Sequence, residues 1–258
     1  MLAVLDKKRI GNCFAKALTS YDQQALAQQQ INRRLADLLR RSGQRQFQSA
    51  LEIGCGSGDL TRLLAQAYQV RSWCLNDLNS TALAQAKQRL ATAEVQVLAT
   101  DAERLDHTFA LTQQFDLLVS ASTVQWFQQP QRIIRLAQQA LKPNGCLLFS
   151  TFLPQNLSEI KHLTAVGLHY PTAEQWQAWL EPHFELIAQQ QDTIPLWFEQ
   201  PSAVLRHLQA TGVTATNRTF WTKGRLQTFC HAYQQQFSRA DGKVSLTYAP
   251  LLILAKRR

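Results

Sequence analysis

Residues 51–60 read LEIGCGSGDL, an apolar run with an acid at its second position and then glycines at 54, 56 and 58. Glycine lets a loop take positive φ and lets a ligand lie against bare backbone. A dinucleotide-binding loop carries G-x-G-x-x-G, with the pyrophosphate at the N-terminus of the next helix. Here the glycines run G-x-G-x-G, and the third fingerprint position is Asp59. A carboxylate there repels a pyrophosphate and suits an amino group or a sulfonium. Glu52 adds a second negative charge just ahead of the loop. The stretch predicts a strand, a loop and a helix arranged around a cationic ligand.

Around this loop, short apolar runs alternate with helical patterns. The spacing predicts strands at 49–53, 70–76, 94–98, 115–120 and 146–152, separated by helices at 60–69, 81–90 and 131–141. Lys142-Pro143-Asn144-Gly145 reads as the turn before the fifth strand. Right-handed crossovers then give an α/β fold with a doubly wound, Rossmann-like, mostly parallel sheet. Such sheets bind ligands beyond the carboxyl ends of their strands. Gly54, Gly56, Gly58, Asp77 with Leu78, Asp101 with Ala102, and Ser120 all fall there. Asp77 can accept two ribose hydroxyls, or it can cap the next helix. Asp101 can accept from an adenine amino group, or it is a plain turn acid.

The flanks have a different rhythm. A helix is predicted over 23–41, ending near Gly43. Beyond 153 the pattern predicts a helix at 172–180, a strand at 184–188, a helical lid at about 195–240 and a last strand at 244–254. The expected division is an N-terminal helical segment (1–45), a ligand-binding core (46–153) and a region completing a seven-stranded sheet and carrying the lid (154–258).

Lys and Arg number 27 against 18 Asp and Glu, a net charge of +9. That favours an acidic partner: nucleic acid, a membrane surface or an acidic protein. The cysteines, at 13, 55, 74, 146 and 230, form no CxxC pair, so neither a zinc site nor a disulfide framework is expected. No leader pattern and no run of about 20 apolar residues occurs, and a cytoplasmic protein is the expectation. The six histidines are dispersed, and no metal site is expected.

Glu52-x-Gly54-x-Gly56-x-Gly58, Asp77, Thr100-Asp101-Ala102, Phe115–Ser120 and Leu141–Gly145 resemble the successive motifs of class I S-adenosylmethionine-dependent methyltransferases. Pro-Asn-Gly stands where Pro-Gly-Gly is commoner. The resemblance implies S-adenosyl-L-methionine as methyl donor. Gly54, Gly56 and Gly58 would lie near its methionyl part, Asp77 at the ribose, and Asp101 with Ala102 at the adenine. Phe14, Ala17, Tyr21-Asp22, Ala25 and Gln29, together with 122–126, 211–217 and 246–248, resemble the malonyl-acyl carrier protein methyltransferases of biotin synthesis. Phe220-Trp221-Thr222-Lys223 departs from that pattern.

The implied reaction esterifies the free carboxylate of malonyl on acyl carrier protein, whose acidity matches the positive charge. A carboxylate is already ionised at neutral pH, so no general base is needed. The work is placing an oxygen in line with the methyl in a water-poor site. Arg218 and Arg225 are the candidates to orient the carboxylate, or are simply solvated. Tyr21 would close over the methyl donor, or only packs the N-terminal helix on the core. Trp126 either walls the acceptor pocket or belongs to the core. The rival functions are a class I methyltransferase acting on RNA, DNA or another small carboxylic acid, and a binding module without turnover. A monomer is the expected state.

Overall fold

The computed structural model describes residues 5–90, 93–105, 114–213 and 222–258. Residues 214–217, Arg218 and the Phe220-Trp221 pair lie outside them.

Two helices, α1 (Lys7–Gln24) and α2 (Leu26–Leu38), precede the sheet. The single helix expected over 23–41 is broken at Ala25, whose ψ of 50° leaves the helical region. Its N–H still bonds Tyr21 O at 2.8 Å, so the first helix closes before the second begins. The second helix ends on a 3-10 turn capped by Gly43 at φ 75°.

The core runs β1 (Gln46–Ile53), α3 (Asp59–Ala67), β2 (Gln69–Asp77), α4 (Ser80–Gln88), β3 (Glu94–Ala99), β4 (Phe115–Ser120), α5 (Arg132–Ala140) and β5 (Leu141–Phe152). After it come α6 (Ser158–Thr164), α7 (Ala173–Leu180), β6 (Phe184–Gln191), β7 (Ile194–Phe198), α8 (Pro201–Ala210), α9 (Lys223–Phe237), β8 (Val244–Tyr248) and β9 (Pro250–Arg257). Seven strands form one sheet in the order β3-β2-β1-β4-β5-β9-β6. β1 to β5 pair in parallel, and β9 is antiparallel to both of its neighbours. Order reverses at β1, between β2 and β4, which puts the glycine loop at the switch point where such sheets take ligands. Two buried clusters cover the two faces, one around Leu35, Leu64, Trp73 and Leu148, the other around Leu51, Ile133, Phe149 and Trp176.

Three expectations change here. The Lys142–Gly145 turn lies inside β5 as a bulge, with Asn144 at φ 65° and the pairing to β4 shifting between Phe115 and Leu117. The apolar run 244–254 is two strands and not one. Pro250 supplies no N–H, and the neighbouring Ala249 N–H is taken by Asn156 Oδ1 at 3.1 Å, so the first half leaves the main sheet. That half, β8, pairs antiparallel with β7. The insertion between β6 and β9 is therefore not wholly helical. It begins with a strand, and its helices α8 and α9 rest on a small two-stranded sheet.

Candidate active site

Two glycines of the loop make room for a neighbour and one faces open space. All three have positive φ: 67° at Gly54, 52° at Gly56 and 84° at Gly58. A Cβ on Gly54 would fall 2.3 Å from the Thr123 side chain, and one on Gly58 would fall 2.7 Å from Ala86. These two glycines let the loop after β4 and helix α4 approach. A Cβ on Gly56 would meet nothing within 4 Å. The bare backbone that a ligand can reach is at Gly56.

Asp77, at the end of β2, ties that loop down. Its Oδ2 accepts from Gly56 N–H at 2.9 Å and its Oδ1 from Asn79 N–H at 2.9 Å. Burial pushes its carboxyl pKa upward against these bonds. The helix cap is Asn79, whose side chain accepts from Thr81 and Ala82 N–H groups. Asp77 is therefore a loop-positioning acid that also faces the cavity. Asn76, which the sequence reading passed over, donates from Nδ2 to Leu98 O and Thr100 O at 3.0 and 2.9 Å. It holds the end of β3, and so Asp101, beside β2.

Lys7 of α1 crosses this edge. Its Nζ lies 2.7 Å from Glu103 Oε2 and 3.4 Å from Asp101 Oδ1, above the Phe127 ring. Glu103 also accepts from the backbone N–H groups of Gln128 and Gln129. The N-terminal helix is thereby pinned across the carboxyl ends of β3 and β4.

Beneath it is a cavity lined by Gly54, Gly56, Asp77, Leu78, Asp101, Ala102, Tyr21 and Trp126, with Ile10, Phe14 and Asn79 among the others. Eight residues singled out in the sequence thus meet at one place. Others do not face it. Ser120 is buried, with Oγ donating to Ile53 O. Gly58 serves the packing of α4. Glu52 is 1% exposed, accepts from Thr61 Oγ at 2.6 Å and lies behind the loop. Burial, with smaller contributions from Asp77 and Asp59, pushes its carboxyl up to about 8. Asp59, read as facing a cationic ligand, accepts instead from Asn32 Nδ2 at 2.9 Å and pairs with Arg62 at 2.8 Å. Its charge is already matched within the protein.

A second cavity lies under the insertion, lined by Ile160, Leu168, Tyr170, Leu205, Leu208, Val213 and Leu226, with Lys161 and Arg206 on its rim. Its volume is about 530 Å³. A junction of about 20 Å³, lined by Tyr21, Gln28, Gln125, Tyr170 and Tyr248, separates it from the first. That is about the room of one water molecule. Trp126 borders all three spaces. It is 7% exposed and packs edge-on against Phe14 at 5.5 Å. Trp126 is thus both core and wall.

The junction is polar but carries no charged side chain among the described residues. Gln28 Oε1, Gln125 Oε1 and Ser122 Oγ are buried without a hydrogen-bond partner. Of these, the Ser122 hydroxyl can donate to a bound carboxylate, whereas the two amide oxygens can only accept. Tyr248 Oη lies 2.9 Å from His207 Nε2, and burial pushes that histidine down to about 4, so it is neutral. Arg225, a candidate for the carboxylate, is exposed on α9 and lines neither cavity nor junction. Its position on the first turn of α9 turns it toward solvent. Arg218 lies outside the described residues.

Gly212, at φ 74°, sits where a Cβ would fall 2.8 Å from the Phe14 ring. Ser20 Oγ donates to Ala210 O. Through these contacts the insertion rests on α1. Phe14 and Gly212, which belong to two of the resembling stretches, thus meet in the fold. No group of His, Cys, Asp and Glu among the described residues is placed to hold a metal. No helix among them is long and apolar enough to cross a membrane.

Residues 51–149 match the family described as a methyltransferase domain. A Haemophilus ducreyi protein named malonyl-[acyl-carrier protein] O-methyltransferase is 44% identical over 261 residues, covering 100% of this chain and 99% of that one. A Porphyromonas gingivalis protein of the same name is 42% identical, covering 99% and 98%. Among solved structures, a Bacillus halodurans protein superposes with a TM-score of 0.64 at 19% identity, covering 86% of this chain and 97% of that one. The N-methyltransferase NodS from Bradyrhizobium japonicum, bound to S-adenosyl-L-homocysteine, superposes at 0.51 with 19% identity, covering 87% and 85%.

Proposed function

Because this chain belongs to the malonyl-[acyl-carrier protein] O-methyltransferase family, we propose that it esterifies the free carboxylate of a malonyl thioester on acyl carrier protein. S-adenosyl-L-methionine supplies the methyl group from its sulfonium. The observation that carries this reading is the arrangement of two cavities meeting at a narrow junction beside Trp126, where no described residue brings a charged side chain. The relatives' shared name and full-length match support the choice of acceptor.

The first cavity suits the methyl donor. Gly56 offers open backbone, and Asp77 and Asp101 keep acceptor capacity for hydroxyl and amino groups beyond the bonds they already make. Tyr21 and Phe14 of α1 close its inner end against Trp126. The second cavity suits an acyl thioester chain, being mostly apolar with a few polar groups.

Among the described residues the junction presents only neutral side chains to the carboxylate. A strong cationic clamp on the attacking carboxylate would draw off the electron density that forms the new C–O bond. Neutral donors at the junction, the Ser122 hydroxyl and the second N–H of the Gln125 and Asn156 amides, whose first N–H groups bond Ser122 O and Tyr170 Oη, can orient the carboxylate more gently. A space this small also excludes bulk water, so approach in line with the methyl is not screened. The product ester is neutral. In the reading carried from the resemblance, it serves as a disguised primer for chain elongation toward pimeloyl and biotin.

Methyl transfer to malonyl-carrier protein, detected as the methyl ester by mass spectrometry, tests this. Ester should form on the malonyl-loaded carrier and not on the acetyl-loaded carrier, which has no free carboxylate. Absence of ester on any malonyl thioester would overturn the proposal.

A further inference from the structure

The +9 charge is unevenly spread, and its distribution identifies a face. No carboxylate occurs between Glu159 and Glu174, or between Glu199 and Asp241. Those two stretches supply α6, α8 and α9, the helices that frame the second cavity. Glu159, at the edge of the first stretch, is 3% exposed. Its carboxylate is used inward, accepting from Ser245 Oγ at 3.0 Å and Thr247 Oγ at 2.7 Å. Lys161 and Arg206 stand exposed on the cavity rim. Lys223 and Arg225 are exposed on the first turn of α9, next to Leu226, which reaches the same cavity.

This contrasts with other basic side chains, several of which pair with acids: Lys7 with Glu103, Arg62 with Asp59, Lys142 with Asp116, Lys243 with Glu199. Among the described residues no carboxylate forms an ion pair with Lys161, Arg206, Lys223 or Arg225, and Glu159 is turned inward. A cleft rimmed by one sign of charge attracts a partner of the other sign and speeds its encounter.

We propose that the face made by Lys161, Arg206, Lys223 and Arg225 docks an acidic carrier protein, with the second cavity receiving the thioester arm that the carrier delivers. The inference rests on the function proposed above and adds the location of the partner. It also gives Arg225 a role: it meets the protein and not the carboxylate.

The test compares three malonyl thioesters: on carrier protein, on coenzyme A, and on pantetheine, which has the arm without protein or phosphate. The variants are Lys161→Glu/Arg206→Glu and Lys223→Glu/Arg225→Glu. Arg41→Glu/Arg71→Glu, exposed near the opposite ends of the strands, is the control. Affinity for S-adenosylhomocysteine reports that each variant is folded. For the carrier substrate, the first two variants should raise KM about tenfold or more and flatten its salt dependence. For Lys223→Glu/Arg225→Glu, whose side chains line neither cavity, KM for malonyl-pantetheine should stay within about threefold, and the control should match wild type throughout. An equal rise for carrier and pantetheine in that variant would place the effect in the cavity and overturn the proposal. A rise for coenzyme A as large as that for the carrier would assign the face to the arm's phosphate, and no change would remove the face altogether; either result overturns it. If wild type methylates none of the three thioesters, the functional reading has failed instead.

Discussion

The two ends of the site are built differently. The end proposed to hold the methyl donor is made from backbone at strand termini. Its loop is held by the Asp77 carboxylate and by main-chain bonds from Gly54 and Cys55 to Asn76 O. The acceptor end is made from side chains on helices, seated on a two-stranded sheet that the main sheet does not include. Strand ends in a seven-stranded sheet are fixed by the pairing of their neighbours, so the donor end is pre-formed. Helix side chains can be exchanged without moving a strand. The difference explains why a loop of this type can announce a methyl donor while the acceptor must be read elsewhere.

Within the donor end, the glycines separate fold from ligand. Gly54→Val should damage both, because its Cβ meets Thr123 at 2.3 Å in a left-handed conformation. Thermal melting should fall well below wild type, with no methyl transfer left. Gly56→Val should fold, since its strain is roughly 1–2 kcal/mol and its Cβ faces open space. Calorimetry should nevertheless show S-adenosylmethionine affinity reduced about a hundredfold or more, because the valine fills the approach to backbone. If Gly56→Val bound normally, the donor would not lie on this loop.

A smaller effect sharpens the contrast through pH. The donor end buries an acid and the acceptor end a histidine. The Glu52 pKa is raised to about 8, so its stability contribution is full below about pH 4.5 and is lost as pH rises toward 8. The His207 pKa is lowered to about 4, so its contribution is present above about 6.5 and is lost as pH falls toward 4. Glu52→Gln keeps an acceptor for Thr61 without the charge. Denaturant unfolding should find it more stable than wild type at pH 8, by of order 2–4 kcal/mol, with the gap closing near pH 4.5. A gap independent of pH would mean that Glu52 is not protonated in the fold.

Legibility follows the same division. The parallel core was readable because each strand is a local apolar run and each crossover helix has its own period. Asp77, Leu78, Asp101 and Ala102 were placed correctly at one edge because strand ends fix them. Asp59 was misread because position in a loop does not give side-chain direction; Asn32 and Arg62, from α2 and the next turn of α3, claim it. The break at Ala25 left no glycine or proline to announce it. β7 was absorbed into a helical region, although its Ile194-Pro195-Leu196-Trp197-Phe198 composition suits a strand better than a helix. The junction was least visible, since Gln28, Gln125, Tyr170 and Tyr248 come from four separate parts of the chain and share no spacing.

In the proposed function, donor and acceptor occupy separate cavities and meet only at the junction beside Trp126. Leu205 lines the acceptor cavity from α8 and not the donor cavity. The direct measurement is S-adenosylhomocysteine affinity together with methyl ester formation in Leu205→Trp, which narrows that space. The account predicts affinity within about twofold of wild type and loss of ester on malonyl-carrier protein. Ester formation at the wild-type rate, or loss of cofactor affinity with it, would contradict the claim.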